Sequence, residues 1–180
     1  MRPSAAAATH CSCSGEPVGV ELYRIDDRLI HGQVVVGWGK PLDIGFIVLV
    51  DDEVAASEWE QELYRMGVPP DMEVRFESVD SAARALAGYQ CDPRPGILLT
   101  GDIATMQRLV EATHAIREVN VGGIHYRPGR VERLRYVFVT PEEEEALRAL
   151  AGNGVTVSAQ DVPAARQVPL EDMLAGRGDA

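Results

Sequence analysis

Basic residues are scarce in this chain relative to acidic ones. Its 180 residues include 17 lysines and arginines against 28 aspartates and glutamates, which gives a formal net charge of -11 and an isoelectric point near 4.8. A protein that binds nucleic acid needs a basic face to neutralise phosphates, so this composition argues against nucleic acid as a partner. A few arginines can still form a small phosphate site. We interpret the acidity mainly as a contribution to solubility, with steering toward a basic partner surface as the alternative.

The chain also lacks a hydrophobic run long enough to cross a membrane. A transmembrane helix needs about 18 apolar residues, and the longest candidate, residues 44–50, has only the length and β-branched content of a strand. Any membrane association is therefore expected to occur through partners. Residues 1–18 have no amphipathic period and no stretch typical of a signal peptide. We predict a disordered extension over 1–18, one domain over 19–175, and a frayed end at 178–180.

Cysteine is rare, and its three occurrences are Cys11, Cys13 and Cys91. An odd number of cysteines without a secretory signal fits a reducing cytosol. The Cys11-Ser-Cys13 spacing is not that of a zinc site, and no second pair follows. The P-loop and the G-x-G-x-x-G fingerprint of nucleotide-binding proteins are missing as well. We therefore predict no metal and no other cofactor.

Strand-like and helix-like segments alternate through the rest of the sequence. Strand patterns occur at 20–25, 46–50, 72–76, 96–100, 118–121 and 155–159, and helix patterns at 32–38, 53–65, 79–86, 103–112, from 141, and at 170–174. Residues 131–139 predict either another strand or a short turn followed by one. This alternation is typical of an α/β fold. We predict one domain whose mostly parallel central sheet has about six or seven strands covered by helices on both faces.

The helix predicted over 53–65 carries apolar residues at helical spacing. These residues, which the period places on one face of the helix, are Val54, Ala55, Trp59, Leu63 and Met66.

The most informative stretch is residues 24–34, Arg-Ile-Asp-Asp-Arg-Leu-Ile-His-Gly-Gln-Val. His31 should stand on the turn between the first predicted strand and the first predicted helix. An α/β protein presents ligand-binding groups at this place, outside the carboxyl ends of its strands. Amides at a helix start and a fixed guanidinium suit a phosphoryl group, and a neutral imidazole can accept one as a nucleophile. His31 is therefore a candidate nucleophile for a phosphoryl group, and an ordinary surface histidine is the alternative.

The neighbours of the histidine supply candidates for binding the phosphoryl group. Arg28 keeps its proton throughout a reaction cycle and is predicted to contact the phosphoryl oxygens, although a surface ion pair with the adjacent aspartates is the alternative. Asp26 is predicted to hold Arg28 or to orient the histidine. Gly32 permits close approach of a partner, and the amides of Gly32 and Gln33 are predicted to bind phosphate. Arg24 is a further phosphate-binding candidate.

Other loops share this edge if the sheet is parallel. Asp51 and Asp52 follow the second strand, and Gly122 and Gly123 follow the fifth. Asp51 and both glycines are candidates for the rim of the site. The glycines could bring backbone amides to a phosphate or only form a tight turn. The aspartates could hold Mg²⁺, but we favour Asp52 as the N-cap of the next helix.

The 24–34 segment resembles the phosphorylation-site segment of the IIB subunits in the mannose/fructose/sorbose family of the bacterial phosphotransferase system. The resemblance extends to Val-Leu-Val-Asp-Asp-Glu-Val-Ala at 48–55, to Asn-Val-Gly-Gly-Ile-His at 120–125, and to Gly154-Val with Gln160-Asp-Val-Pro near the end. It covers roughly residues 19–172. The long motif is specific, whereas the Gly-Gly loop alone is a weak signal.

This resemblance implies a phosphocarrier enzyme of sugar transport. Proteins of the family accept a phosphoryl group from the phosphohistidine of a IIA subunit and pass it to a sugar held by the membrane subunits IIC and IID. The family's phosphohistidine forms at Nδ1, which implies that atom of His31 with Arg28 assisting, on an α/β sheet and without metal or nucleotide. Since nothing before residue 19 could form a IIA domain, we expect IIA to act in trans. The expected location is the cytoplasm, at the inner face of the membrane through the partner subunits.

Two other functions are open at the level of sequence. A regulatory phosphocarrier would use the same chemistry at His31 to control a protein partner without delivering a sugar. A phosphatase or mutase with a histidine nucleophile would need a second histidine and an acid on the rim, and His125 is the candidate for that histidine. The Arg-His-Gly signature of that class is matched only loosely, because Arg28 is not adjacent to His31.

Overall fold

A computed structural model of the chain describes residues 18–177. The predicted disordered extension lies outside the described residues, apart from Val18, and so does the predicted frayed end at 178–180. Within residues 18–177, no helix combines the length and the apolar character that crossing a membrane requires.

Seven strands of the described chain form one sheet, and two more form a separate hairpin. In chain order the strands are β1 (Val20–Ile25), β2 (Phe46–Val50), β3 (Glu73–Glu77), β4 (Gly96–Thr100), β5 (Glu118–Val121), β6 (Val131–Leu134), β7 (Val137–Val139), β8 (Thr156–Ala159) and β9 (Val168–Pro169). The sheet has the order β3-β2-β4-β1-β5-β8-β9, and its neighbours are parallel except for β8 and β9. The predicted fold class is confirmed.

Helices cover both faces of the sheet. They are a π-helix (Gln33–Trp38) and α1 (Asp52–Ala55), α2 (Glu58–Met66), α3 (Val79–Gln90), α4 (Ile103–Thr113), α5 (Pro141–Gly152) and α6 (Leu170–Leu174). The residues of β2 alternate between two cores. Phe46, Val48 and Val50 pack with α3 to α6, whereas Ile47 and Leu49 pack with the π-helix and α1. All five are buried, as expected for a strand covered on both faces.

The segment at 131–139 forms the antiparallel hairpin of β6 and β7. It lies outside the seven-stranded sheet and is linked to the end of β5 by a bridge between Ile124 and Val137. Leu134, Val137 and Val139 are buried in the core on the α3 to α6 side. The alternation of apolar and polar residues at 131–139 therefore reflects a hairpin that buries one of its two faces.

The helix predicted at 32–38 forms with wider turns than an α-helix. The amide of Gly39 donates to the carbonyl of Val34, five residues earlier, at 2.9 Å. Val34, Val35 and Trp38 are buried by this segment. Single π-helical turns occur frequently at functional sites, and this one directly follows the segment that contains His31.

The prediction of one helix over 53–65 with its apolar residues on a single face is wrong, although Val54 is buried. The chain forms two helices there, because it bends before Ser57, whose side chain caps the start of α2. Trp59, Leu63 and Met66 are exposed, Trp59 to 71% and Met66 to 77%. Tyr64, on the other side of α2, packs against the core instead. The bend thus changes which side of the second helix faces the sheet.

Gly96 begins β4 against the ring of Phe46 on the adjacent strand. A Cβ at position 96 would overlap that ring, whereas a Cβ at Gly88 on α3 would meet no atom within 4 Å. We expect Gly96→Ala to lower the free energy of unfolding by about 1–3 kcal/mol through overpacking. Gly88→Ala should leave it unchanged or raise it, because alanine favours a helix over glycine. Urea unfolding measures both, and equal stabilities for the two variants would contradict this packing.

Candidate active site

The carboxyl ends of β1, β4, β5 and β8 meet at one edge of the sheet, and the loop after β1 is fixed to its neighbours there. The amide of Asp26 donates to the carbonyl of Thr100 at 2.9 Å, and the amide of Asp27 donates to the carbonyl of Gly123 at 2.8 Å. The π-helix after β1 lies on one face of the sheet, whereas α4 after β4 lies on the other. A crevice opens where such connections diverge. His31 lies here, between β1 and the π-helix, as the sequence predicted.

The imidazole of His31 is held by its own turn. Its Nδ1 lies 2.8 Å from the carbonyl oxygen of Leu29 and therefore donates a proton to it, since a carbonyl only accepts. Leu29 has a φ of 54°, a left-handed conformation that is uncommon outside glycine. Nε2 is buried, has no hydrogen-bond partner among the described residues, and lies 4.0 Å from Oδ1 of Asp26. The side chain as a whole is 18% exposed, so the ring keeps an open face.

Arg24 and Asp26 form a fully buried ion pair at the base of the site. Nη2 of Arg24 donates to Oδ2 of Asp26 at 2.9 Å, and Nη1 donates to Oδ1 of Asn120 at 2.6 Å and to the carbonyl of Gln160 at 3.0 Å. The guanidinium also lies 5.1 Å from the centre of the Trp38 ring. Burial lowers the pKa of Arg24 from its ordinary value, and the charge of Asp26 opposes that shift.

The prediction that Arg24 binds phosphate is not supported by this position. Neither side chain of the pair has any exposed surface, so a ligand on the rim would not reach the guanidinium. The role of Arg24 is instead to hold Asp26, and thereby the loop that follows β1.

Arg28 is the exposed arginine of the site. Its side chain is 42% exposed, and its Nε lies 3.6 Å from Oδ1 of Asp26. Its Nη2 donates to Oε1 of Gln33 at 2.5 Å. The Oδ1 atom of Asp26 therefore lies near both Arg28 and His31, which is the arrangement expected of a residue that orients them.

Gly32 and Gln33 lie at the start of the π-helix. A Cβ at Gly32 would meet no atom within 4 Å, so the space above this residue is open. The side-chain amide of Gln33 donates to Oδ1 of Asp161 and to the carbonyl of the same residue at 3.2 Å. Gln33 thus connects Arg28 with the loop after β8. Phosphate binding by the two backbone amides stays a prediction.

The two aspartates after β2 have partners within the protein. Asp51, not Asp52 as predicted, is the N-cap of α1, and its Oδ1 accepts from the amides of Glu53 at 2.9 Å and Val54 at 3.0 Å. Asp52 pairs with Arg108 at 2.8 Å, which, with a hydrogen bond from Val79, lowers the pKa of its carboxyl. Across residues 18–177, no group of three or more His, Cys, Asp or Glu side chains is arranged to hold a metal ion.

The amides of Gly122 and Gly123 are engaged by the protein itself. Gly122 donates to the carbonyl of Ile25 at 2.8 Å, and Gly123 donates to Oδ2 of Asp26 at 3.2 Å. Neither amide is free for a phosphate in this conformation. A Cβ at Gly122 would overlap the guanidinium of Arg24. This engagement argues against phosphate binding by the two amides, and the two glycines, which lie between β5 and the bridge at Ile124, do not form a tight turn either.

Two residues of the rim were not predicted as part of a phosphoryl-transfer site. The carbonyl of Asp161 accepts from Nε1 of Trp38 at 3.0 Å, besides its bonds to Gln33. His125 pairs with Asp27 across the loops after β1 and β5. Asp161 lies two residues after β8, and His125 lies four residues after β5. The sequence offered a role for His125 only as the second histidine of a phosphatase or mutase, and it offered Asp161 only as part of the resemblance at Gln160-Asp-Val-Pro.

The chain matches the family model described as the PTS system sorbose subfamily IIB component over residues 20–179. It is 30% identical over 178 residues to the PTS system mannose-specific EIIAB component of Escherichia coli (strain K12), a match that covers 96% of this chain and 55% of that protein. The chain thus spans about half the length of that relative. It is 31% identical over 154 residues to the N-acetylgalactosamine-specific phosphotransferase enzyme IIB component 1 of the same strain, covering 84% of this chain and 96% of the relative.

Solved structures share the fold. The IIBSor domain of the sorbose permease from Klebsiella pneumoniae matches with a TM-score of 0.78 and 29% identity, over 87% of this chain and 96% of that one. The structure of manxB from Thermoanaerobacter tengcongensis matches with a TM-score of 0.78 and 30% identity, over 87% of this chain and 95% of that one.

The buried pair at the base of the site predicts a non-additive effect on stability. We expect Asp26→Leu to lower the free energy of unfolding by about 3–5 kcal/mol, because Arg24 keeps a buried charge without its carboxylate. The double variant Arg24→Met/Asp26→Leu should be less destabilised than Arg24→Met or Asp26→Leu alone, since no buried charge is left alone. Urea unfolding of the three variants measures this coupling. Additive losses would show that the two side chains stabilise the fold independently.

Proposed function

This chain belongs to the sorbose subfamily of IIB components of the phosphotransferase system, and we propose that it carries a phosphoryl group on His31 from a phosphorylated protein to a sugar. One observation carries the proposal: at the sheet edge, one oxygen of a buried carboxylate lies near both a partly exposed imidazole and an exposed guanidinium. Such an imidazole is a nucleophile with a cation close by to balance the incoming charge. Relatives named for mannose, N-acetylgalactosamine and sorbose support a sugar as the final acceptor.

The proposed reaction exchanges one bond to phosphorus for another in two steps. In the first step a ring nitrogen of His31 attacks the phosphorus of the donor's phosphohistidine. The donor's P–N bond breaks, and its electron pair returns to the donor ring. In the second step a hydroxyl oxygen of the sugar attacks the same phosphorus, and the electron pair of the new P–N bond returns to His31.

We propose Nδ1 as the attacking atom of His31, and this requires its proton to change place. In the resting conformation the Nδ1 proton is bonded to the carbonyl of Leu29. A ring that carries phosphorus on Nδ1 holds its proton on Nε2 instead. Oδ1 of Asp26, 4.0 Å from Nε2, is an acceptor already in place for that proton. Asp26 therefore acts as a positioning residue that favours the reactive tautomer.

Arg28 and Gly32 complete the proposed site. The guanidinium of Arg28 stays charged through the cycle and balances the phosphoryl oxygens when they arrive. The open space above Gly32 leaves room for the donor and the acceptor to approach in turn. Arg24 contributes indirectly, because it fixes the carboxylate that lies between the other two functional side chains.

The partners are proposed from the family. A IIA subunit acting in trans would supply the phosphoryl group, and the membrane subunits IIC and IID would hold the sugar. The chain would then work in the cytoplasm and reach the inner face of the membrane through those subunits. Its net charge of -11 suits this placement, because cytoplasmic loops of membrane proteins are rich in lysine and arginine.

Phosphorylation in vitro tests the assignment of His31. The protein is incubated with phosphoenolpyruvate, the general phosphotransferase proteins and a cognate IIA subunit, and the intact mass is recorded. We expect an acid-labile, base-stable phosphoryl adduct that His31→Ala abolishes. His114→Asn, which changes an exposed histidine at the end of α4, should keep the adduct. A persisting adduct in the His31→Ala protein would place the phosphoryl group on another residue.

Arg28→Ala tests the role of the exposed cation. We expect the variant to fold normally and to lose about 100-fold in the rate of phosphoryl transfer, the usual effect of removing one donor to a developing charge. Arg148→Ala, which removes a half-exposed arginine on α5, is the matched control. Quenched-flow assays give the rates and circular dichroism the fold. Equal rates in the two variants would leave Arg28 as a surface ion pair only.

A further inference from the structure

The loop after β5 brings a second imidazole to the rim of the site. Nδ1 of His125 lies 2.6 Å from Oδ1 of Asp27, and the backbone amide of His125 donates to Oδ2 of the same carboxylate at 2.8 Å. Because a carboxylate only accepts, Nδ1 is the protonated nitrogen of this ring. Nε2 is then the nitrogen with a free lone pair. The side chain is 52% exposed, so this ring opens to the solvent side of the rim.

The carboxylate that orients His125 is itself fixed. Asp27 is only 7% exposed, and its Oδ2 lies 3.7 Å from Nη1 of Arg130. Arg130 is equally buried, donates to the carbonyl of His125 at 2.8 Å, and pairs with Glu143 on α5 at 2.6 Å. A carboxylate that holds one nitrogen of an imidazole, so that the other is ready to take a proton, is the arrangement that general bases require.

His125 lies beside the groups proposed to handle the phosphoryl group. A Cβ at Gly123 would lie 3.3 Å from Cε1 of His125, from Nη2 of Arg28 and from Oδ1 of Asp26. All three atoms therefore surround the same point. Oδ1 of Asp26 is the atom that lies 4.0 Å from Nε2 of His31. The ring of His125 therefore lies close to the carboxylate of Asp26, which is the group proposed to orient His31.

We propose that His125, oriented by Asp27, is the general base that removes the proton of the acceptor hydroxyl in the second transfer step. This inference rests on the proposed function of His31. Nε2 of His125 takes the hydroxyl proton while the hydroxyl oxygen forms its bond to phosphorus. The P–N bond to His31 breaks, its electron pair returns to Nδ1, and the imidazolium of His125 then releases its proton to solvent.

The two transfer steps differ in their need for this base, and that difference provides the test. Transfer from a phosphohistidine donor to His31 releases no hydroxyl proton, whereas transfer to a sugar does. Two variants separate the possible roles of the ring. His125→Asn keeps an amide donor toward Asp27 but has no basic nitrogen, and His114→Asn makes the same change on an exposed histidine outside the site.

Both half-reactions are measured by quenched flow. The first is phosphorylation by phospho-IIA, and the second is transfer from the isolated phosphoprotein to mannose, fructose, sorbose or N-acetylgalactosamine on vesicles that contain the cognate membrane subunits. We expect His125→Asn to change the first rate by less than about 2-fold and to lower the second by about 100-fold, within the usual range for general base catalysis. His114→Asn should leave both rates unchanged.

The charged groups around the ring are Asp27, Arg130, Asp26 and Arg28, and neither variant changes any of them. Equal slowing of both half-reactions, or an unchanged second rate, would overturn the proposal. Absence of any adduct on the unmodified protein would instead refute the proposed function.

Discussion

The buried ion pair of Arg24 and Asp26 is the interaction on which the rest of the site depends. Taking an isolated charge out of water costs several kcal/mol, so a guanidinium without exposed surface needs acceptors from the fold around it. Both Nη atoms of Arg24 have such acceptors, whereas Nε has none among the described residues. Asn120 and the carbonyl of Gln160 supply those acceptors from β5 and from the loop after β8. One side chain on β1 thereby fixes the ends of two other strands. The glycine at 122 follows from the same constraint, because any side chain there would overlap the guanidinium.

Asp26 connects the buried ion pair to the exposed groups of the site. One of its oxygens is bound by Arg24 and by the amide of Gly123, and the other lies near Arg28 and His31. The carboxylate of Asp26 is already fixed by its buried partners. It can therefore orient two partly exposed groups without any further loss of its own conformational entropy. The two arginines of the motif therefore have opposite tasks. The buried one determines structure, and the exposed one is available to a ligand that arrives from outside.

Much of the fold could be predicted because it depends on local patterns. The alternation of apolar strands with helical segments indicated a mostly parallel sheet, and the position of His31 after the first strand placed it at the carboxyl edge. The orientation of α2 could not be predicted in this way. Trp59, Leu63 and Met66 have the spacing of a buried face, but the bend before Ser57 turns that face to solvent. A helical period shows which residues share a side and does not show which side meets the sheet.

The sequence by itself determined the fold class, the segment that carries His31 at the carboxyl edge of the sheet, and the choice of Arg28 and Asp26 as its neighbours. Those conclusions rest on residues that are close along the chain, where spacing alone decides proximity. Tertiary structure decided that Arg24 is buried, that Asp51 caps a helix, that His125 pairs with Asp27, and that Asp161 contacts Trp38. These facts depend on which strands become neighbours. That order is set by long-range packing and by the need to satisfy buried charges, and neither leaves a local pattern in the sequence.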